Sequence, residues 1–90
     1  MKLVKIGAVW CSSCLVMRSR LQEIKTEHSW LKIDYLDLDN DFEKVKNFSV
    51  ESEKLPALIF LDKKGKEILR LNGEWSTKDL KKLIQTHKNK

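Results

Sequence analysis

Two cysteines at a predicted strand-to-helix junction constrain what this chain can become more than any other feature. Cys11 and Cys14 are the only cysteines among its 90 residues. A nearly continuous apolar run over residues 2–9 precedes them, which is typical of a buried strand. Behind them, apolar side chains recur at helical spacing over residues 12–27. The pattern therefore places Cys11 at the start of a helix and Cys14 one turn behind it, on the buried side.

The middle of the chain predicts a second strand and a short helix. Residues 31–38 begin with a strict alternation of apolar and polar side chains, as expected for a half-exposed or edge strand. Asn40 or Asp41 can cap the helix that follows. The side chains expected to point inward from this helix are Phe42, Val45 and Phe48.

The second half of the chain predicts a hairpin and a final helix. Pro56 opens an apolar strand over residues 57–61, a turn follows at residues 62–65, and a second strand covers residues 66–71. Ser76 is placed to cap the last helix. The expected buried stripe of that helix consists of Leu80, Leu83 and Ile84, and His87 could extend it.

The predicted order of elements is β-α-β-α-β-β-α, which indicates the α/β class. A crossover helix between the first two strands requires that these strands run parallel, whereas the hairpin is antiparallel. We therefore expect a four-stranded mixed sheet with helices on both faces. A chain of this length is expected to form a single domain over residues 1–90.

Composition and charge narrow the classes of function. The apolar fraction of 41% is too high for a disordered chain, and no stretch is long enough to cross a bilayer. The N-terminal apolar run does not fit a signal peptide, so we expect a cytoplasmic protein, in which lasting structural disulfides are rare. The net charge is +5. The lysines of the last helix and tail could bind nucleic acid or an acidic partner, but no aromatic residues alternate with them, which favours a solvated helix face instead.

Thiol–disulfide exchange is the chemistry that suits the cysteine pair. Unpaired N–H groups and the positive end of the helix favour the thiolate of Cys11, whereas burial should raise the pKa of Cys14. Cys11 can then attack a disulfide, and Cys14 can resolve the mixed disulfide. Half of a zinc site is a weaker interpretation, because His28 and His87 lack zinc-finger spacing. An inert pair of core residues would suit Cys14 but not Cys11.

Three motifs in order give the chain a resemblance to the thioredoxin family. Trp10-Cys11-Ser12-Ser13-Cys14 is similar to the W-C-x-x-C active site of that family, Leu55-Pro56 to its cis-proline loop, and Leu71-Asn72-Gly73 to its glycine loop. The resemblance covers essentially the whole chain. Because the first strand and helix of full-length thioredoxins are missing, it implies a minimal thioredoxin fold.

The resemblance implies a role for each matching residue. Cys11 would be the catalytic nucleophile and Cys14 the catalytic resolving thiol. The implied substrate-binding residues are Trp10, Leu55, Pro56 and Gly73. Taken alone, Pro56 predicts a trans peptide bond, since few X-Pro bonds are cis, but the resemblance implies a cis bond.

Lys5 and the residues around it depart from the family pattern. Lys5 stands where typical thioredoxins have a buried acid that helps to deprotonate the resolving cysteine. A lysine there could act as a base only with a strongly lowered pKa, could stabilise the Cys14 thiolate by charge, or could extend to solvent. Gly7 replaces a tryptophan, which predicts a roomier pocket. Ser12 and Ser13 replace the usual Gly-Pro dipeptide, and their hydroxyls could modulate the Cys11 sulfur or only cap the helix.

The function expected from the sequence is that of a thiol–disulfide oxidoreductase that reduces protein or small-molecule disulfides through Cys11 and Cys14. We expect no cofactor, no bound metal and no membrane contact, and a monomer that is recycled by a reductase or by glutathione. Its role would belong to electron transport and cell redox homeostasis. Two alternatives stay open: a disulfide oxidase or isomerase, and a redox-inactive binding module that uses the basic C-terminal helix.

Overall fold

The computed structural model describes residues 1–90 and has the predicted order of strands and helices, with one 3-10 turn added at Ser52–Lys54. The strands are β1 Lys2–Gly7, β2 Lys32–Asp37, β3 Ala57–Leu61 and β4 Glu67–Asn72. The helices are α1 Ser12–Glu27, α2 Phe42–Lys46 and α3 Thr77–His87. None of the helices is both long enough and apolar enough to cross a membrane.

The four strands form one mixed sheet in the order β2-β1-β3-β4. β1 runs parallel to β2 and antiparallel to β3, and β3 and β4 form the antiparallel hairpin. Lys5 at the middle of β1 lies opposite Tyr35 of β2 and Leu58 of β3. The mixed sheet is therefore confirmed, and β2 is the edge strand that its alternation predicts.

Helices cover both faces of the sheet, as expected. On one face, α1 and α3 pack over a buried cluster that includes Leu3 of β1 and Phe60 of β3. On the other face, Val45 of α2 packs with Val4 of β1 and its neighbours. The fully buried side chains that α1 and α3 contribute are Cys14, Met17, Leu21, Ile24, Leu80 and Ile84. Their spacing is the helical spacing that the sequence shows.

The last helix begins at the expected residue. The Ser76 hydroxyl oxygen accepts a hydrogen bond from the backbone N–H of Asp79 at 3.1 Å, which satisfies one of the free donors of the first turn. Leu83 and His87 are half-buried rather than buried. The His87 ring lies edge-on against Phe60, with 5.8 Å between the ring centroids.

Two expectations for α2 are wrong. Phe42 does not point inward, because 60% of it is exposed. Phe48, just beyond the helix, is half-buried and does pack against the cluster around Val4. The helix has five residues, barely more than one turn, so it can bury only a narrow strip, and Val45 fills that strip. Asp41 occupies the N-cap position without capping, because its carboxylate accepts from the backbone N–H of Asp37 at 2.9 Å instead.

Several boundaries also differ by one or two residues from the predicted ones. β1 ends at Gly7 rather than at residue 9, and a turn at Val9 and Trp10 leads into α1. β4 begins at Glu67 and extends to Asn72, so Gly73 rather than the Asn-Gly pair ends the strand. The chain therefore has two residues more than expected in which to bring Trp10 and Cys11 to the surface at the end of the sheet.

We predict that Phe60→Ala lowers the free energy of unfolding by about 3–5 kcal/mol, because it removes a completely buried ring and leaves a cavity in the main cluster. Phe42→Ala is the matched control and should change stability by less than about 0.5 kcal/mol. Urea denaturation followed by circular dichroism measures both. Equal losses for the two variants would contradict the described core.

Candidate active site

Cys11 lies at the exposed start of α1. It is the N-cap residue, with extended backbone at φ −100°, and it is half-exposed. The backbone N–H of Cys14 donates a hydrogen bond to the Cys11 sulfur at 3.3 Å. The first-turn N–H groups have no partner within the helix, so a sulfur in this position meets donors and the positive helix end. The Cys11 sulfur is therefore both accessible from solvent and in contact with a hydrogen-bond donor.

Cys14 lies directly beneath, in a different environment. Only 1% of it is exposed, and it continues the buried stripe of α1. Burial, together with the hydrogen bond to Cys11, raises the pKa of Cys14 to about 11, against an opposing backbone hydrogen bond with Ala8. The expectation that Cys14 is buried and has a raised pKa is confirmed. Both cysteines are free thiols in this structure.

The proline loop and the glycine loop lie side by side. The Leu55–Pro56 peptide bond is cis, as the resemblance implies, and Pro56 is fully buried. The carbonyl oxygen of Pro56 accepts a hydrogen bond from the backbone N–H of Gly73 at 2.9 Å. Gly73 has φ +82°, a conformation that favours glycine. These two residues, far apart in sequence, therefore form one structural unit.

The loop after Gly73 is tied to the helix that carries the cysteines. The backbone N–H of Trp75 donates to the Met17 sulfur at 3.3 Å, and the Arg20 guanidinium donates to the Trp75 carbonyl at 2.7 Å. Met17 lies one turn beyond Cys14. The glycine loop, the proline loop and the start of α1 are thus held in one region of the molecule.

Trp10 and its neighbours give Cys11 an apolar surrounding. Trp10 is 60% exposed, and its indole N–H donates to Asp39 at 3.1 Å, which fixes the ring orientation. The other large apolar side chains exposed beside the cysteines are Val9, Leu15 and Val16. We call these four side chains the apolar rim. The last three were not predicted from the sequence: Leu15 and Val16 lie off the buried stripe of α1, but that position alone does not decide exposure, and Val9 precedes the helix.

Ser12 and Ser13 do not act on the nucleophile through hydrogen bonds in this structure. Ser12 is exposed and Ser13 is half-buried, and neither hydroxyl donates to the Cys11 sulfur. The helix cap is the Cys11 side chain itself. The predicted capping role of these serines is therefore wrong, because Cys11, one residue before Ser12, occupies the N-cap position.

Lys5 is largely buried beside Cys14, and it lines an open cavity at the surface. It is 6% exposed, and desolvation by burial lowers its pKa below the ordinary lysine value. Gly7 makes the room for it. The Lys5 nitrogen lies 2.7 Å, and the Cys14 sulfur 3.1 Å, from the position that a Cβ on Gly7 would take. The expected open space at Gly7 is thus occupied by the lysine head group, and a cavity of about 210 Å³ adjoins it.

The two histidines have contacts other than the cysteines. The His28 ring packs against Trp30 at 5.9 Å between centroids, and His87 packs against Phe60. No group of three or more histidine, cysteine, aspartate or glutamate side chains is arranged to hold a metal ion.

Comparisons with known proteins identify the relatives of this chain. The family model described as thioredoxin matches residues 1–86. The thioredoxin of Mycobacterium tuberculosis is 39% identical over 72 residues, covering 79% of this chain and 60% of the relative. Thioredoxin H7 of Arabidopsis thaliana is 30% identical over 83 residues, covering 92% of this chain and 62% of the relative. The chain therefore spans about 60% of the length of these curated relatives.

Solved structures show the same fold. Thioredoxin-2 of a malaria parasite matches with a TM-score of 0.83 and 25% identity, covering 94% of this chain and 81% of that one. The thioredoxin of Fasciola hepatica matches with a TM-score of 0.80 and 25% identity, covering 96% and 81% of the two chains. The four-stranded sheet and its helices are therefore a thioredoxin-type fold.

We predict that Cys14 is nearly unreactive at mildly alkaline pH. With a pKa of about 11, on the order of one thiol in a thousand is ionised at pH 8, whereas roughly a quarter of ordinary cysteine thiols are. In the Cys11→Ser variant the hydrogen bond to the Cys11 thiol is lost but burial still raises the pKa of Cys14, so iodoacetamide should alkylate Cys14 at least ~10-fold more slowly than a cysteine in an unstructured peptide. Mass spectrometry measures the rate.

The control for this experiment is the same variant unfolded in urea, in which the rate should return to that of the peptide. The alkylation rate of the folded variant should also continue to rise with pH above pH 9, because burial still raises the pKa of Cys14. A rate that levels off near pH 9 would contradict the raised pKa of Cys14.

Proposed function

The chain belongs to the thioredoxin family, and we propose that it is a dithiol–disulfide oxidoreductase that works through Cys11 and Cys14. The observation that carries the proposal is that two thiols in different environments lie one helical turn apart. One is half-exposed at a helix start with a backbone N–H on its sulfur, and the other is buried one turn behind. Exchange chemistry needs both an accessible thiolate and a protected second thiol.

The first step is attack by Cys11. Its thiolate forms a bond to one sulfur of the substrate disulfide, and the other substrate sulfur leaves as a thiolate that takes up a proton. The unpaired N–H groups at the start of α1 stabilise negative charge on Cys11 before the attack. The same N–H groups would stabilise the negative charge on the Cys11 sulfur when Cys11 is the leaving group in the reverse reaction.

The second step is resolution by Cys14. Its sulfur attacks Cys11, the bond between the two cysteines forms, and the bond to the substrate breaks with release of the second substrate thiol. Residues three apart on a helix are neighbours, so this bond can close without rearrangement of the fold. Until then, burial keeps Cys14 protonated and prevents it from competing for substrate.

The proposed direction is reduction of protein or small-molecule disulfides. A thiol with a high pKa is a poor leaving group, so a disulfide closed by Cys14 is opened reluctantly at that sulfur. A strong oxidant needs the opposite, a reduced form stabilised by low thiol pKa values. The raised pKa of Cys14 therefore supports a reductant over the alternative of an oxidase or isomerase.

The proposed substrate groove joins Trp10 to the proline and glycine loops. An extended segment of substrate would pair with the backbone of Leu55. The carbonyl of Leu55 accepts no backbone hydrogen bond within the chain, so it is available to a partner. Pro56 and Gly73, joined by their backbone hydrogen bond, would form the floor beside Leu55. Trp10 would cover the substrate from the other side of Cys11.

The partners follow from the chemistry. The substrate is a protein or a small molecule with a disulfide, and a reductase or glutathione regenerates the dithiol. The cysteines carry both electrons, so the reaction needs no bound cofactor, and a monomer suffices because both thiols lie in one chain. A dithiol that must be regenerated suits the reducing cytoplasm, where the protein would serve electron transport and cell redox homeostasis.

The second candidate, a redox-inactive binding module with a basic face on α3, has less support. Lys81 forms an ion pair with Glu27 at 2.7 Å, and Lys88 lies over the Trp30 ring at 4.9 Å. The ion pair neutralises the charge of Lys81, and the contact with Trp30 holds Lys88 against the protein's own surface. The buried Cys14 beneath a capping Cys11 would have no role in such a module, and nucleic acid is not an expected partner.

We predict that Cys11→Ser abolishes the reduction of insulin disulfides with dithiothreitol as the electron donor, because no nucleophile remains. Cys14→Ser should lose turnover but accumulate a covalent mixed disulfide through Cys11, visible by mass spectrometry without reductant. The double variant is the control for non-specific reduction. Full activity in the Cys11→Ser variant would reject the assignment of the nucleophile.

A second prediction concerns the groove. Trp10→Ala should raise the KM for insulin about tenfold, equivalent to ~1.4 kcal/mol of lost contact, with a smaller effect on kcat. Trp30→Ala is the matched control, because Trp30 is also partly exposed but packs against His28 and Lys88. An unchanged KM in Trp10→Ala would remove this residue from the proposed groove.

A further inference from the structure

Lys5 is a largely buried lysine whose amine has no hydrogen-bond or ion-pair partner and lines an open cavity. It is 6% exposed, and its nitrogen takes part in none of the hydrogen bonds or ion pairs of the chain. A charged ammonium in such a position is costly unless something compensates it. A residue that only filled the core would be better replaced by an apolar side chain, so the position points to a use for the amine.

The neighbour that the amine faces is the Cys14 sulfur. Both atoms lie within 3.1 Å of one point, the place of the missing Cβ on Gly7, and so they share the space that the glycine leaves open. They are close enough for the charge of one to control the ionisation of the other. Lys5 lies on β1 and Cys14 on α1, so the strand and the helix bring together two groups that are nine positions apart.

Other groups act on Lys5 from the elements packed against it. On α1, the Cys11 and Cys14 thiolates would favour its charged form, whereas the Arg18 guanidinium opposes it. On β2, the Asp37 carboxylate favours the charged form with the smallest influence, and the opposite β3 residue, Leu58, is apolar. The strongest favourable influence on the ammonium is therefore Cys14 itself.

The cavity beside Lys5 contains few groups that could take over this role. The Tyr35 hydroxyl is buried without a hydrogen-bond partner, and the Arg18 guanidinium lies 5.2 Å from the centre of its ring. Asp41 also lines the cavity, but its carboxylate accepts the backbone N–H of Asp37. Asp37 in turn accepts the backbone N–H groups of Asp39 and Asn40. Neither carboxylate forms an ion pair with Lys5.

We infer that Lys5 accepts the proton of Cys14 while Cys14 resolves the mixed disulfide, an inference that rests on the proposed function. As the Cys14 sulfur attacks, its proton moves to the Lys5 amine. The bond between Cys14 and Cys11 forms, and the bond between Cys11 and the substrate sulfur breaks. The substrate sulfur leaves with the electron pair and takes a proton from solvent, and the Lys5 ammonium later returns its own proton to solvent. The two cysteines are oxidised and the substrate disulfide is reduced by two electrons.

Burial explains why the pair waits in its neutral form. Desolvation raises the pKa of Cys14 and lowers the pKa of Lys5, so thiol and amine are both favoured over their charged forms before the reaction. Proton transfer creates both charges at once, side by side, where each compensates the other. Neither an arginine nor an apolar residue could do this, because the first does not give up its proton and the second has none to exchange.

A disulfide that releases a coloured thiol separates the two steps. When the reduced protein reacts with excess dithionitrobenzoate in a stopped-flow instrument, attack by Cys11 releases the first thionitrobenzoate at a rate proportional to reagent concentration. Resolution by Cys14 releases the second at a rate that does not depend on reagent concentration. The second phase alone reports the step assigned to Lys5.

Lys5→Met should leave the first phase within about twofold and slow the second phase about 10- to 100-fold at neutral pH. Its second phase should also gain a pH dependence of about tenfold per unit, because solvent must now remove the proton, whereas the wild-type rate should vary less. Lys2→Met is the control on the same strand, since Lys2 is an exposed lysine paired with Asp34. It should change neither phase.

Gly7→Ala tests the same contact with Lys5 retained. Its Cβ would lie 2.7 Å from the Lys5 nitrogen and 2.9 Å from the Cys14 Cβ, so it would displace both groups and slow the second phase. The part of this loss that comes from the amine should disappear in the Lys5→Met background. Lys5→Met should also raise the midpoint of urea denaturation, because it removes an uncompensated buried amine. A slower second phase therefore could not be ascribed to damage to the fold.

The outcomes separate the inference from the function on which it rests. A second phase that is unchanged in Lys5→Met, or one that is slower but keeps the wild-type pH profile, overturns the role of Lys5 as a proton acceptor. The oxidoreductase proposal survives in either case, because both phases are still present. Absence of both phases in the wild-type protein would reject the proposed function itself.

Discussion

The start of α1 holds the Cys11 sulfur against backbone N–H groups that have no partner within the helix, and the rest of the site depends on that contact. A helix must begin somewhere, and its first donors must then be satisfied by a side chain, water or a ligand. Here the satisfying atom is itself the proposed reactive atom. The sheet makes this arrangement possible, because β1 is a central strand whose end delivers the chain to the surface at Trp10 and Cys11.

Burial gives two chemically identical side chains different exposure to solvent. Cys11 and Cys14 are three residues apart, yet one is half-exposed and the other has almost no exposed surface. The same burial acts on Lys5, and the absence of a side chain at Gly7 leaves room for its amine beside the Cys14 sulfur. The electrostatic environment of the Cys14 sulfur is thereby set by Lys5 of β1, by the missing side chain at Gly7 and by the first turn of α1.

Much of this could be predicted because it depends on local patterns. The periodicity over residues 12–27 gave the bounds of α1, and the alternation in β2 predicted an edge strand. Local patterns could not decide features that depend on what packs opposite. Phe42 has the spacing of a buried residue but lies on a helix too short to bury it, and Lys5 was compatible with three environments until the fold placed Cys14 beside it. The apolar rim was missed for the same reason, since exposure depends on the surrounding chain.

The most direct test is an equilibrium redox titration of the purified protein at neutral pH, in which the fraction of Cys11–Cys14 disulfide is read from the mass gained on alkylation of the remaining thiols. The account predicts a single two-electron transition to an intramolecular disulfide, with a midpoint potential of about −270 mV, in the range of reducing dithiols. A midpoint at about −120 to −180 mV would contradict the reducing direction. Thiols that never pair with each other would contradict the central claim that Cys11 and Cys14 form one redox couple.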